Sequence, residues 1–149
     1  MDIIRKYIET DLDAVMYIWF QGNKTAHAFI GEEYWKRNFN YVRRAISQSE
    51  VYVYEFEGKV IGFIGLDEGY VQGLFVHPDF TREGIGSRLL NYIKEDLEFF
   101  TLHVFQKNEA AVSFYKKNGL KIKETQVNED LGEEEYYMYY RKPKKEKEA

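Results

Sequence analysis

Apolar residues along this chain follow two rhythms, one of period two and one near 3.6, and the switches between them mark out successive strands and helices. Asp2 to Tyr7 predicts a short first strand, and Thr10 or Asp11 stands where a helix cap belongs. Leu12, Val15, Met16, Trp19 and Phe20 then share one helical face, and Gln21-Gly22-Asn23 predicts a break. The apolar run His27-Ala28-Phe29-Ile30-Gly31 is too compact and too greasy for an idle loop. A second helix is expected from Glu32 to Ser47, with Trp35, Phe39, Val42 and Ile46 turned inward.

The rhythm then shortens. Val51 to Glu57 and Lys59 to Leu66 are β-rich runs joined at Glu57-Gly58-Lys59, where glycine supplies the positive φ of a tight hairpin. Tyr70 to Val76 continues the meander. Ile85, Leu89, Ile93 and Leu97 recur every fourth residue, the mark of an amphipathic helix laid on a sheet. Phe100 to Phe105 is a further strand, and Asn108 can cap a short helix ending near Asn118, with Gly119 just past its end. Strands over Leu120–Asn128 and Glu134–Arg141 close the pattern. The order β-α-α-β-β-β-α-β-α-β-β implies a mixed α/β (α+β) domain, residues 1–141, with helices flanking a mixed sheet. Residues 142–149 hold four Lys and two Glu and are expected to be a solvated, mobile tail.

Composition narrows the function. The length, 149 residues, suits one substantial core, and the formal net charge of −4 offers no global basic field for nucleic acid. The absence of cysteine excludes a disulfide framework, a thiolate metal site and a cysteine nucleophile, and it fits a reducing compartment. No signal-like or membrane-spanning apolar stretch is present, so a cytoplasmic protein with no membrane partner and no metal is expected. Aromatic residues reach 17%, enough both to fill a core and to line a cleft.

The candidate chemistry starts at the turn following Tyr70–Val76. From Arg82 through Glu83, Gly84, Ile85 and Gly86 to Ser87 the chain leaves a strand and opens a helix, with two glycines at the entry. Unpaired N–H groups and the helix dipole favour an anion there, glycines let backbone approach it, and Arg82 adds a cation. Taken alone, such a turn serves equally well as an ordinary helix start. A Walker loop would need Gly-Lys-Ser/Thr where Gly86-Ser87-Arg88 stands, and a dinucleotide fingerprint would need a third glycine in a first βα unit.

With Leu74-Phe75-Val76-His77-Pro78 preceding Gly84-Ile85-Gly86, the turn resembles the coenzyme motif of the GNAT (Gcn5-related) N-acetyltransferases, Gln/Arg-x-x-Gly-x-Gly/Ala after L-x-V-x-P. Thr81 departs from the first motif letter. A second block, Asn108-Glu109-Ala110-Ala111-Val112-Ser113-Phe114-Tyr115 through Gly119-Leu120, resembles the family's N-x-x-A-x-x-F-Y-x-x-x-G-F. The stretch from His27 to Trp35 further resembles the small bacterial YiaC/YjaB-type subgroup, and the likeness covers all but the charged tail.

The resemblance implies a twisted, mostly antiparallel sheet of about seven strands with about four helices, and acetyl-CoA as cosubstrate. It implies that Leu74, Phe75 and Val76 offer main-chain groups to the pantetheine and acetyl portions, that Arg82 to Ser87 take the pyrophosphate, and that Asn108 bonds the pantetheine arm. Tyr115 is expected to protonate the departing thiolate, and Val76 N–H to meet the oxyanion. For the base that deprotonates the amine, His103 and Glu68 are the candidates, the first because relatives acting on ribosomal-protein N-termini place a catalytic Glu there. His27, Phe29, Tyr34 and Trp35 are expected to wall the acceptor pocket. The acceptor is a primary amine: a protein lysine, an N-terminus or a small molecule. Two other readings stand beside the enzyme: a CoA-binding sensor without turnover, and an assembly role for the tyrosine-rich hairpin Val127 to Tyr140 in a monomer or homodimer.

Overall fold

A computed structural model describes residues 2–144. The chain runs through β1 (Asp2–Lys6), α1 (Leu12–Ala26), α2 (Glu32–Ser47), β2 (Glu50–Phe56), β3 (Lys59–Asp67), β4 (Tyr70–Val76), α3 (Ile85–Lys94), β5 (Phe99–Phe105), α4 (Glu109–Lys117), β6 (Lys121–Asn128) and β7 (Glu133–Arg141), with short 3-10 turns at Glu9–Asp11 and Pro78–Phe80. The element order is the one the hydrophobic rhythm predicts. The strands form one sheet in the order β1-β2-β3-β4-β5-β7-β6, antiparallel throughout except for the parallel contact between β4 and β5.

Alternation along the strands sends side chains to two cores. On one face Leu89, Leu90 and Ile93 of α3 and Tyr115 of α4 pack on Phe100, Leu102 and Met138. On the other, Val15, Ile18 and Trp19 of α1 and Trp35 of α2 pack on Val51, Val53 and Phe63. Each such fully buried aliphatic side chain contributes about 1.5–3 kcal/mol relative to exposure. The fourfold spacing of Ile85, Leu89 and Ile93 therefore does what it implies. The regular helix stops at Lys94, but Leu97 N–H still reaches Ile93 O at 2.9 Å and its side chain joins the same core.

Three expectations about local structure change. Gln21-Gly22-Asn23 does not break the helix: α1 continues to Ala26. Gly22 lies where α1 crosses β4, and a Cβ there would sit 2.6 Å from Phe75 Cδ1, so the glycine permits close packing. Asn23 is buried and donates to Trp19 O at 3.0 Å. Asp11 occupies the cap position of α1 without capping it. Its carboxylate instead takes two bonds from the Arg5 guanidinium, at 2.8 and 2.9 Å, and one from Ile8 N–H at 2.8 Å. Arg5 holds this buried carboxyl below the usual carboxylate range, and the pair staples β1 to the start of α1. Finally, the tyrosines of the last hairpin lie on β7, an interior strand, while its partner β6 is one of the two sheet edges, β1 being the other. Tyr140 stacks on Phe100 at 5.0 Å, so it serves the core. The expected tail begins with exposed residues at Lys142, whose N–H still bonds Glu98 O at 2.6 Å, and 145–149 lie outside the described residues.

Candidate active site

The sheet opens between β4 and β5. They pair only at Tyr70↔Thr101 and then diverge toward their carboxyl ends. On its other side β4 stays zipped to β3, with a register shift between Gly65 and Leu66 that leaves Gln72 as the extra residue of a bulge. His77 N–H donates to Ile61 O at 2.7 Å, toward β3. Because backbone groups alternate sides along a strand, those of Phe75 also face β3, and those of Leu74 and Val76 face the gap. The splay leaves these main-chain groups without a strand partner.

The gap widens into a cavity of about 720 Å³ that passes between the two faces of the sheet. Its walls include Leu74, Phe75 and Val76 from β4, His103 from β5, Asn108 and Tyr115 from α4, His27 and Trp35 from the α1–α2 region, and Arg82 from the turn. The two sequence blocks, separated in the chain, therefore meet across one opening.

Tyr115 is nearly enclosed, and Leu120 N–H bonds its carbonyl at 3.0 Å just after the turn at Gly119. Burial first, and then the neighbouring Tyr70, push its hydroxyl above the ordinary tyrosine range, so it is a protonated O–H at any neutral pH. Tyr70 lies beside it, with its own hydroxyl pushed up to about 12 by burial and by Glu135. Tyr70 Oη is 2.6 Å from His103 Nδ1, which leaves Nε2 as the ring nitrogen of His103 without a protein partner among the described residues. Tyr137 flanks the same ring with centroids 4.9 Å apart.

Asn108 caps α4 as expected, and it also makes a bond to His27 that the sequence did not suggest. Its Oδ1 accepts from Ala111 N–H at 3.2 Å, and its Nδ2 donates to His27 Nε2 at 3.0 Å. His27 Nδ1 in turn donates to Asn23 Oδ1 at 2.8 Å. Backbone partners fix both amides, since Asn23 Nδ2 is spent on Trp19 O and Asn108 Oδ1 on Ala111 N–H. The chain of bonds thus selects the neutral Nδ1–H form of His27, and burial lowers its pKa to about 4. His27 borders the cavity, but both its nitrogens serve the scaffold.

At the turn, Arg82 and Gly84 both take positive φ, 66° and 80°, and no side chain caps α3. The first-turn amides at Ile85, Gly86 and Ser87 begin the helix from an open loop, the geometry that suits a phosphate. Gly86 has a different reason for being glycine: a Cβ there would meet Phe114 Cζ at 2.9 Å, so it permits α3 and α4 to pack. Pro78, Thr81 and Arg82 line the cavity, whereas Glu83 to Ser87 lie beyond its wall.

Three expected pocket residues fall elsewhere. Glu68 is exposed in the β3–β4 turn at φ 47°, outside the cavity, because the hairpin projects it into solvent. Phe29 and Tyr34 stand one layer back, Phe29 against Phe105 at 5.7 Å and Tyr34 against Trp35 at 4.8 Å. Sequence reasoning missed Glu135, which lines the cavity, and Tyr70, which anchors His103. Period-two alternation on their strands puts both on the His103 face, a signal that needs the strand order to be usable.

This fold and opening define the class. Residues 47–122 match the acetyltransferase (GNAT) domain, and the chain belongs to that family of N-acetyltransferases, which take their acetyl group from acetyl-CoA. It is similar to the peptidyl-lysine N-acetyltransferase YiaC of Escherichia coli, 33% identical over 122 residues that cover 80% of this chain and 84% of that one. It is also similar to the peptidyl-lysine N-acetyltransferase YjaB of Escherichia coli, 28% identical over 130 residues, 87% and 88% of the two chains. The solution structure of apo YjaB superposes with a TM-score of 0.83 at 25% identity over 96% of this chain and 99% of that one. The PaiA N-acetyltransferase of Thermoplasma acidophilum, solved with coenzyme A, shares the fold with a TM-score of 0.79 at 23% identity, over 95% and 99%. Among the described residues no helix is long and apolar enough to cross a membrane.

Proposed function

We propose that the chain acetylates lysine side chains of proteins, with acetyl-CoA held in the β4–β5 opening and the amine entering from the α1–α2 face. In this reading the ends of the cosubstrate are separated by chemistry: the α3 start with Arg82 takes the pyrophosphate, and the gap-facing backbone of Leu74 and Val76 takes the pantetheine and acetyl groups. Asn108 still has its second N–H for the pantetheine arm.

The lysine nitrogen, once neutral, attacks the acetyl carbon, and Val76 N–H meets the developing oxyanion. The carbon–sulfur bond breaks as the tetrahedral species collapses, Tyr115 O–H delivers its proton to the departing thiolate, and the surplus proton on the attacking nitrogen returns to Tyr115 as the neutral amide forms. His103, through Nε2, takes the proton that the ammonium must lose. Phe29, Tyr34 and Trp35 form the aromatic backing of the acceptor side. Residues 1–141 act as the transferase unit in the cytoplasm, and 142–149 are a charged extension of it.

The observation that carries the reading is Tyr115 set in the same opening as the unpaired strand backbone of Leu74 and Val76. The names of the relatives YiaC and YjaB support lysine as the acceptor. Incubation with acetyl-CoA and a panel of lysine peptides, peptides with free N-termini and small amines, read by released thiol, tests it. Lysine peptides are expected to be preferred. Preference for N-termini or small amines would overturn the acceptor, and tight acetyl-CoA binding with no turnover on the whole panel would favour a sensor.

A further inference from the structure

The cavity wall carries one cation and one carboxylate. Among the described residues that line it, Arg82 is the only Lys or Arg, and Glu135 is the only Asp or Glu. His27 is held neutral by its two amide partners. Arg82 follows β4 on the turn into α3. Glu135 sits near the start of β7, directly opposite Phe105 of β5, and Phe105 packs against the α1–α2 core. Cross-strand partners share a face, so Glu135 stands on the α1–α2 side of the sheet, away from α3 and α4.

The carboxylate is placed and uncommitted. Gln126 Nε2 on β6 donates to its Oε1 at 3.0 Å, which fixes the side chain and leaves Oε2 free. Glu135 has no ion-pair partner among the described residues. The nearby cation Lys107 is taken by Glu133, at 3.1 Å. The field of Glu135 reaches inward, since it helps push up the Tyr70 hydroxyl, and that hydroxyl touches His103. Beside Glu135 the wall is Phe105 and His103, aromatic surface suited to an alkyl chain, with Tyr137 and Tyr70 packed against the His103 ring.

We propose that Glu135 is the acceptor-recognition residue: its free oxygen receives the protonated amine of a lysine-type side chain and brings it to His103. The cavity thereby offers a cation to the phosphates of the donor and a carboxylate to the ammonium of the acceptor. A partly desolvated carboxylate attracts an ammonium far better than an exposed one, and it discriminates against neutral isosteres of the same length. This assignment deepens the lysine reading and rests on it for the identity of the substrate.

The test is binding, so that it stands apart from turnover. The protein saturated with CoA is titrated with N-acetyl-lysine methylamide and with the norleucine analogue, which lacks the ammonium, following backbone amide NMR shifts. Glu135→Gln keeps the bond to Gln126 and removes the charge. The variant is expected to bind the lysine compound at least about tenfold more weakly, to bind the norleucine compound and acetyl-CoA as wild type does, and to regain part of the loss as Glu135→Asp. In steady state the same change is expected in KM for a lysine peptide, with kcat changed less. Equal affinity of wild type and Glu135→Gln for the lysine compound would overturn the proposal, as would an equal loss for both compounds. Charge-selective binding without acetyl transfer would support the subsite and overturn the lysine acetyltransferase reading.

Discussion

His27 Nε2 accepts a hydrogen bond from Asn108 Nδ2 at 3.0 Å, so the end of α1 and the cap of α4 are held by one side-chain contact spanning the active-site opening. The contact requires a neutral imidazole with its proton on Nδ1, bonded to Asn23.

Stability should therefore fall in mild acid. The folded-state pKa of His27 is lowered from 6.5 to about 4, so the unfolded chain binds the proton first as pH drops. The contribution is fully present above about 6.5 and is lost progressively as pH falls toward about 4, a span corresponding to roughly 3 kcal/mol. Urea unfolding at pH 7.5 and pH 5 is expected to show a clear loss in wild type and a smaller pH dependence in His27→Phe. Equal pH dependence in the two proteins would contradict this.

Gly22 is expected to resist substitution despite its place in a helix. Ala is ordinarily the better helix former by about 1 kcal/mol. Here its Cβ would press on Phe75 Cδ1 from 2.6 Å, and Phe75 lines the cavity. Overpacking of this kind costs about 1–3 kcal/mol, so Gly22→Ala should lower the melting temperature and weaken acetyl-CoA binding together. A stabilised variant would show that Phe75 yields freely.

Tyr70→Phe removes the hydroxyl that bonds His103 Nδ1 while keeping the ring. Loss of orientation of a proton-transfer group should reduce kcat by about tenfold or more with acetyl-CoA affinity unchanged. The NMR signature of the His103 ring nitrogens is expected to change in parallel. An unaltered ring signature together with wild-type kcat would remove Tyr70 from any positioning role.

Much of the molecule was legible in its sequence because its rhythms are strong. The switch from period two to 3.6 placed all the major elements, and Leu89 and Ile93 point inward as their spacing requires. The glycines were harder. Gly22 reads as a break, yet it and Gly86 each admit a side chain remote in sequence, Phe75 or Phe114, whose approach no local pattern records. Asn108 and Tyr115, which both line the opening, come from a single helical block. Glu135 hides in the run Glu133-Glu134-Glu135, where only strand register distinguishes the residue facing the cavity from its neighbours. Glu68 misled for the converse reason, since a carboxylate near a catalytic strand looks useful until its turn is seen to point outward.

The most direct measurement is free-thiol release from acetyl-CoA with a lysine peptide, comparing wild type with Tyr115→Phe at saturating acetyl-CoA and with acetyl-CoA affinity measured in parallel. Tyr115 lines the opening with its hydroxyl protonated. The expected result is lysine-dependent thiol release by wild type and a fall in kcat of about 10²-fold or more in the variant, with affinity preserved. A Tyr115→Phe protein as fast as wild type would contradict the assignment of Tyr115 as the proton donor to the thiolate.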